Sequence, residues 1–191
     1  LQKKKRITHE KIGKEIILKS ELGDIISKTT DKKKINRLAV GEGSKQFENE
    51  IISGALSADM MDYLLRDGYF TGAEHAKIDH NRITNSFEIY KNKLALQSSA
   101  LVNFETMMIS RFQMFKAVYF HKAVRSGEVM LLEAMSLADD YLGLSTMNVK
   151  EYVKQTDDTI LQQLTTLPET NSELKAAKKI AVDYQDRKLF K

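Results

Sequence analysis

The chain has 191 residues, a formal net charge of +4 and no cysteine. The lack of cysteine excludes disulfides, thiolate metal sites and a cysteine nucleophile. No apolar run approaches the ~20 residues that a membrane-spanning helix needs, and nothing resembles a signal peptide. We therefore expect one domain, or one domain with an appendage, in the cytoplasm.

The positive charge is concentrated at the start of the chain. Residues 1–40 contain 12 Lys and Arg against 5 Asp and Glu, a balance of +7, so the rest of the chain carries −3. The basic runs 3–6 and 32–34 could attract phosphate groups. No aromatic residues alternate with them, as a base-stacking surface requires. We therefore expect solvated runs and no nucleic-acid partner.

Short helices are predicted over the first 53 residues. Thr8 is a good N-cap for a helix over His9–Ser20, because isoleucines recur there at helical spacing. Further helices are predicted over Glu21–Thr29 and Phe47–Ser53. The segment Lys32–Ser44 is charged and contains two glycines, which indicates a loop around a short helix.

The stretch from Ser57 to Gly72 has strong helix signals. Ser57 is a good N-cap, and Gly68 and Gly72 can adopt the positive φ that ends a helix. Between them, polar side chains share one side of the helix at spacings of three and four: Asp59, Asp62, Tyr63, Arg66 and Asp67. The pattern leaves two interpretations open, a solvated face with an Asp62–Arg66 ion pair or a polar seam in a closed pocket.

The apolar period changes after residue 85. Residues 86–90 and 93–96 alternate around Lys91 and Asn92, which predicts a β-hairpin. Ser98–Val124 is apolar enough to predict one long helix that crosses the core, with a break at Gly127. Later helices are predicted over Glu128–Leu142, from Asn148, from Thr156 and over Glu173–Arg187. The predicted fold class is mainly α, with one small β-hairpin and a C-terminal helical extension.

No motif in the chain assigns a reaction by itself. The sequence has four histidines but no His-Glu-x-x-His, no phosphate-binding glycine loop of the Walker type and no Gly-x-Ser-x-Gly. An arginine within so apolar a helix, Arg111, needs an anionic partner. That partner is either a ligand or a carboxylate of the protein, with Asp62 and Glu105 as candidates. Arg111, Phe115, Tyr119 and Lys122 would share one face of a continuous helix.

Several segments resemble HD-superfamily phosphohydrolases, in the bacterial and archaeal branch that is similar to the SAM-and-HD-domain dNTP triphosphohydrolase. These segments are Thr8-His9-Glu10, Ile51-Ile52-Ser53-Gly54-Ala55-Leu56-Ser57-Ala58-Asp59-Met60-Met61-Asp62-Tyr63-Leu64-Leu65-Arg66-Asp67 and Asp186-Arg187-Lys188-Leu189-Phe190-Lys191. The resemblance covers nearly the whole chain. It implies a partial HD-domain helical bundle over 1–125, with the hairpin near 86–96, and a C-terminal helical region over 126–191.

The resemblance implies a divalent metal ion, without distinguishing Mn, Mg, Fe, Ni or Zn. Such a site uses two histidines and two aspartates, and Asp59 matches the later aspartate. The earlier histidine and the His-Asp doublet do not occur in the 191 residues, so we expect them upstream of Leu1 in a longer parent. His9 matches a histidine that acts as general acid or binds phosphate. Without the resemblance, His9 would be a surface residue beside a helix cap.

The resemblance also implies roles in nucleotide binding. Tyr63 and Asp67 match positions that contact the nucleotide, with Asp67 near the sugar 3′-hydroxyl. Arg111 matches an arginine that clamps the triphosphate. Tyr119 matches a residue that stacks beside the sugar and crowds the 2′ position. The dipeptide His121-Lys122 matches one near a second, regulatory nucleotide.

The implied activity is hydrolysis of deoxynucleoside triphosphates by the full-length parent, which is expected to form homo-oligomers. The fragment holds one metal ligand of four and is expected to be inactive. Two departures bear on the substrate, because Met60 and Phe115 stand where relatives often have polar residues. The alternatives are a non-catalytic module for nucleotide binding or oligomerisation, and an HD hydrolase that acts on another nucleotide.

Overall fold

The computed structural model describes residues 8–191, which fall into two compact units. The first ends at Tyr119 and the second begins at Phe120. The predicted mainly α fold with one β-hairpin is confirmed. The division predicted after residue 125, into a partial HD domain and an extension, stays a prediction. In the described part of the chain, no helix is both long and apolar enough to cross a membrane.

The first unit consists of helices joined by short turns, together with the hairpin. Side-chain caps from Thr8, Ser20, Asp31 and Ser57 begin four of its helices, because each side chain accepts a hydrogen bond from a free backbone N–H of the first turn. The described helices of this unit are α1 (His9–Lys19), α2 (Glu21–Ser27), α3 (Lys32–Ala39), α4 (Gln46–Ser53), α5 (Ala58–Thr71), α6 (His80–Thr84) and α7 (Leu101–Met114).

The hairpin pairs β1 (Phe87–Tyr90) with β2 (Lys93–Leu96) in antiparallel register, with Phe87 opposite Leu96. Lys91 and Asn92 both have positive φ, 48° and 62°, as the two-residue turns that match strand twist require. A hydrogen bond joins the hairpin to α4, in which the Glu50 carboxylate accepts from the Leu94 N–H at 2.6 Å. The prediction for this segment is confirmed.

The core of the first unit lies between α5 and α7. Its buried side chains are mostly methionine and branched aliphatic residues, which fill irregular space without polar atoms. They are Met60, Met61, Leu64, Ala76, Ile78, Ile83, Met107 and Met114. The helix α5 runs past Gly68 and ends at Gly72, which has φ of +68°. Gly68 is instead a site of close approach, because a Cβ there would lie 2.2 Å from that of Ala76.

The prediction of one long, core-crossing helix over Ser98–Val124 is wrong, because the helix is interrupted and because one of its sides is exposed. A short 3₁₀ turn (Ser98–Ala100) precedes α7, a π-helix (Phe115–Tyr119) follows it, and the backbone is extended at His121. Only one side of α7 is buried, since Val102 and Phe112 are 71% and 62% exposed. Apolar residues on both sides of this helix led to the prediction of a core-crossing helix.

The second unit contains α8 (Lys122–Leu142), α9 (Val149–Tyr152), α10 (Asp157–Thr165) and α11 (Ser172–Gln185). Its core consists of alanines and leucines from α8, α10, α11 and the loop after α10: Ala134, Ala138, Leu164, Leu167, Leu174, Ala177 and Ala181. The helix break predicted at Gly127 is wrong, because this residue is buried inside α8. A Cβ at Gly127 would lie 3.1 Å from the ring of Tyr184 in α11, so glycine allows the two helices to approach closely.

Candidate functional site

The candidate site is formed by α5 and the π-helix that follows α7. The Ser57 hydroxyl accepts from the Met60 N–H at 3.1 Å and begins α5, whose apolar side faces the core. On the other side Asp59, Asp62 and Arg66 are exposed, whereas Tyr63 and Asp67 are half-buried. Asp62 and Arg66 form the predicted ion pair at 2.8 Å. Each of the two open interpretations therefore describes part of the same helix.

The half-buried Asp67 is tied to Tyr119. The Tyr119 hydroxyl donates to Asp67 Oδ2 at 2.7 Å, across 52 residues of sequence. Burial of the phenol, and then its hydrogen bond to the Asp67 carboxylate, raise the pKa of Tyr119 well above its usual value. Tyr119 is therefore a neutral hydrogen-bond donor at physiological pH, and it fixes one oxygen of Asp67.

Two aromatic rings hold the ring of Tyr119 in place. Tyr63 meets it edge-to-face, with centroids 6.2 Å apart and planes at 73°. Phe115 meets it edge-to-face as well, at 4.9 Å and 65°. Such arrangements are favoured by the ring quadrupoles. The predicted residues Tyr63, Asp67 and Tyr119 thus lie in one cluster.

Arg111 joins this cluster through Phe115. Its guanidinium carbon lies 5.6 Å from the Phe115 ring centroid, a cation–π contact. The candidate protein partners do not reach it: Asp62 pairs with Arg66, and Glu105 is exposed on α7. Among residues 8–191, no carboxylate forms an ion pair with Arg111. A half-buried arginine with no carboxylate partner among the described residues is suited to bind an anionic ligand.

Among the described residues, no hydrogen bond or ion pair joins Asp59 or His9, the residues predicted for metal and acid chemistry, to the cluster. Asp59 is an exposed carboxylate at the start of α5, and the described residues include no group of three His, Asp or Glu that could hold a metal ion. His9 is exposed and contacts Glu10 at 3.2 Å. The described part of the chain therefore does not fit a complete metal site, and Asp59 could supply only one ligand of a larger set.

The second unit contains His121 and Lys122 at the start of α8. His121 is the N-cap of this helix, since its Nδ1 accepts from the Ala123 N–H at 3.3 Å. Lys122 lines a cleft of about 970 Å³ with four other cations, Arg125, Arg187, Lys188 and Lys191. Glu128 pairs with Arg125 and Asp186 pairs with Lys188. Sequence reasoning did not bring these five residues together, although the basic ending of the chain was a signal for it.

Comparison with known proteins identifies the family. The family described as "HD associated region" matches residues 78–191, more than half of the chain. The chain belongs to this HD-associated family. The resemblance to the HD superfamily predicted from the sequence is thereby confirmed.

Two relatives and a solved structure extend the comparison. The putative HD domain-containing protein L394 of Acanthamoeba polyphaga mimivirus is 30% identical over 196 residues, 93% of this chain and 42% of that protein. The deoxynucleoside triphosphate triphosphohydrolase SAMHD1 homolog of Dictyostelium discoideum is 28% identical over 72% of this chain and 26% of that protein. A phosphohydrolase structure from Bacteroides thetaiotaomicron has the same fold, with a TM-score of 0.76, 21% identity and coverage of 97% and 51%. The HD-associated chain thus spans less than half the length of these two relatives.

Proposed function

We propose that the parent protein hydrolyses deoxynucleoside triphosphates and that this chain forms the nucleoside-binding wall of its active site. The main observation in support is the hydrogen bond from Tyr119 to Asp67, in which the ring of Tyr119 packs edge-to-face against Tyr63 and Phe115. In the reaction a water oxygen bonds to the α-phosphorus and the bond to the sugar 5′-oxygen breaks. The products are a deoxynucleoside and triphosphate.

The cluster offers complementary groups for each part of the substrate. One oxygen of Asp67 is occupied by Tyr119, and the other accepts no hydrogen bond within the described residues, so it can accept from the sugar 3′-hydroxyl. The ring of Tyr119 would lie against the sugar and crowd a 2′-hydroxyl. Arg111 would bind the phosphates, because a guanidinium donates paired hydrogen bonds to phosphate oxygens.

Asp59 and His9 are proposed to act with groups outside the described residues. Asp59 would supply one carboxylate ligand to a divalent metal ion, which activates water or polarises phosphate in phosphohydrolases. His9 would face the phosphates as general acid. Neither residue has a partner for that chemistry among residues 8–191. For this reason the isolated chain is predicted to be inactive.

The relatives support the substrate class. The name of the Dictyostelium protein gives deoxynucleoside triphosphates as its substrate, and its match covers 72% of this chain. That match covers only 26% of the Dictyostelium protein. The activity of the parent is therefore our proposal. The exposed apolar side chains of α7, including Val102 and Phe112, support a surface that is covered in the parent. The homo-oligomer and the cytoplasmic location stay predictions.

The cleft around Lys122 supports a second anion site. A regulatory nucleotide was predicted near His121 and Lys122 from the resemblance. Three of its cations, Lys122, Arg187 and Lys191, form no ion pair within the described residues. His121 lies beside this cleft in sequence, where it caps α8. We propose that nucleotide phosphates bind the three cations.

A substrate screen on the full-length parent tests the activity. Four dNTPs, four rNTPs, the deoxynucleoside monophosphates and a guanosine polyphosphate are incubated with Mn²⁺ or Mg²⁺, and triphosphate, pyrophosphate and phosphate are separated by ion-exchange chromatography. Binding of each dNTP is measured by calorimetry on the same protein. The proposal predicts triphosphate release from dNTPs and its loss with EDTA. If only a monophosphate or a guanosine polyphosphate released phosphate or pyrophosphate, the alternative of an HD hydrolase that acts on another nucleotide would be favoured. Tight dNTP binding without turnover would favour the non-catalytic module.

A further inference from the structure

Phe115 contacts both polar residues that the proposed site needs most. Its ring lies 5.6 Å from the guanidinium carbon of Arg111 and 4.9 Å from the ring centroid of Tyr119. Phe115 begins the π-helix and Tyr119 ends it, so their ring contact spans the whole irregular turn. Such π-helical turns are often found at functional sites.

We infer that Phe115 is a positioning residue, which holds Arg111 where the phosphates bind and Tyr119 where the sugar binds. This inference rests on the proposed function. An arginine side chain has many rotamers, and a ring beneath the guanidinium reduces their number before a ligand arrives. The edge-to-face contact does the same for the ring of Tyr119, which in turn donates to Asp67.

The ordinary alternative is that Phe115 only fills space. Phe104 shows what that role looks like in the same unit, since it is a half-buried phenylalanine of α7 packed on the core. Within the described residues, Phe104 makes no ring or cation contact. Phe104→Leu is therefore the matched control for Phe115→Leu, because each removes one ring from a half-buried position.

Binding to the full-length parent tests the inference. Dissociation constants are measured by calorimetry with EDTA present, for a dNTP and for the corresponding deoxynucleoside. A cation–π contact accounts for roughly a 3- to 30-fold change in affinity. We expect Phe115→Leu to weaken dNTP binding in this range and deoxynucleoside binding less. Phe115→Tyr keeps the ring and should restore dNTP affinity to within about twofold of wild type, whereas Phe104→Leu should leave the ratio of the two affinities unchanged.

A double-mutant cycle with Arg111→Gln separates positioning from space filling. If Phe115 acts on phosphate binding through Arg111, Phe115→Leu causes no further loss of the dNTP-to-deoxynucleoside ratio in the Arg111→Gln protein. Additive losses, or equal effects of Phe115→Leu and Phe104→Leu, would overturn the inference.

A measurement without nucleotide keeps the inference separate from the proposed function. In parent protein labelled at arginine, ring-current shifts of the Arg111 side-chain protons should disappear in Phe115→Leu and persist in Phe115→Tyr. Persistence in Phe115→Leu would show that Phe115 does not hold Arg111. If these shifts behave as expected but no dNTP binds, the proposed function fails while the contact stands, and Phe115 then has no role in nucleotide binding.

Discussion

Replacing Tyr119 by phenylalanine removes one oxygen atom and leaves the ring contacts in place. The lost interaction is the 2.7 Å hydrogen bond from the Tyr119 hydroxyl to Asp67 Oδ2. Hydrogen bonds to charged groups contribute ~1.5–3 kcal/mol when they are well buried. Both side chains are half-buried, so solvent reduces this contribution, and we expect the free energy of unfolding to fall by about 1 kcal/mol.

Tyr63→Phe is the matched control for this prediction. Tyr63 contacts Tyr119 edge-to-face, and its hydroxyl makes no hydrogen bond within the described residues. Its loss should change the free energy of unfolding by less than about 0.5 kcal/mol. Urea denaturation followed by circular dichroism measures both variants. If Tyr119→Phe were no more destabilising than Tyr63→Phe, the hydrogen bond would not hold the cluster together.

Two further predictions concern pH and helix packing. The pKa of Tyr119 is raised on folding, so the unfolded chain loses the phenol proton first as pH rises. The phenol's contribution to stability is therefore complete below pH ~10 and falls above it. Between pH 9 and 11, the free energy of unfolding should fall more in wild type than in Tyr119→Phe, and an equal fall would contradict the raised pKa. Gly68→Ala would place a Cβ 2.2 Å from that of Ala76, so we expect a destabilisation of ~1–3 kcal/mol. Gly13→Ala is the control, because nothing lies within 4 Å of the new Cβ, and it should stabilise α1 by up to ~1 kcal/mol. If Gly68→Ala and Gly13→Ala had a similar effect on the thermal midpoint, the close approach at Gly68 would not limit its side chain.

Local signals predicted most of the secondary structure. Thr8 and Ser57 are N-caps as expected, since this preference depends on the first turn of the helix alone. The hairpin turn at Lys91 and Asn92 was likewise set by the residues around it. Helix boundaries that depend on distant contacts were harder to predict. Gly127 suggested a helix break, but it is needed where α8 meets the ring of Tyr184.

The break after Tyr119 could not be predicted because the apolar spacing continues through it. Ser98–Val124 has helical spacing throughout, yet a π-helix interrupts it and a new helix begins at Lys122. The predicted common face of Arg111, Phe115, Tyr119 and Lys122 is therefore wrong for Lys122. A continuous α-helix was assumed in that prediction, and the π-helix changes the number of residues per turn.

The site itself was predictable only in part. Asp67 and Tyr119 are 52 residues apart, and no local pattern predicts their hydrogen bond. The resemblance named both residues because their neighbours match the family, although it could not give their contact. It treated Phe115 as a departure from the family, whereas the structure gives this residue contacts with Arg111 and Tyr119. The roles of Asp59 and His9 stay predictions.

The most direct test of the central claim is turnover by the full-length parent carrying Asp59→Ala. Both Asp59 and Asp62 are exposed carboxylates on α5, and Asp62 pairs with Arg66 at the surface, so Asp62→Ala is the matched control. The account predicts that Asp59→Ala abolishes metal-dependent release of triphosphate from dNTPs and leaves the circular dichroism spectrum unchanged, while Asp62→Ala retains turnover. Retained turnover in Asp59→Ala would contradict the role proposed for Asp59, and with it the proposed active site.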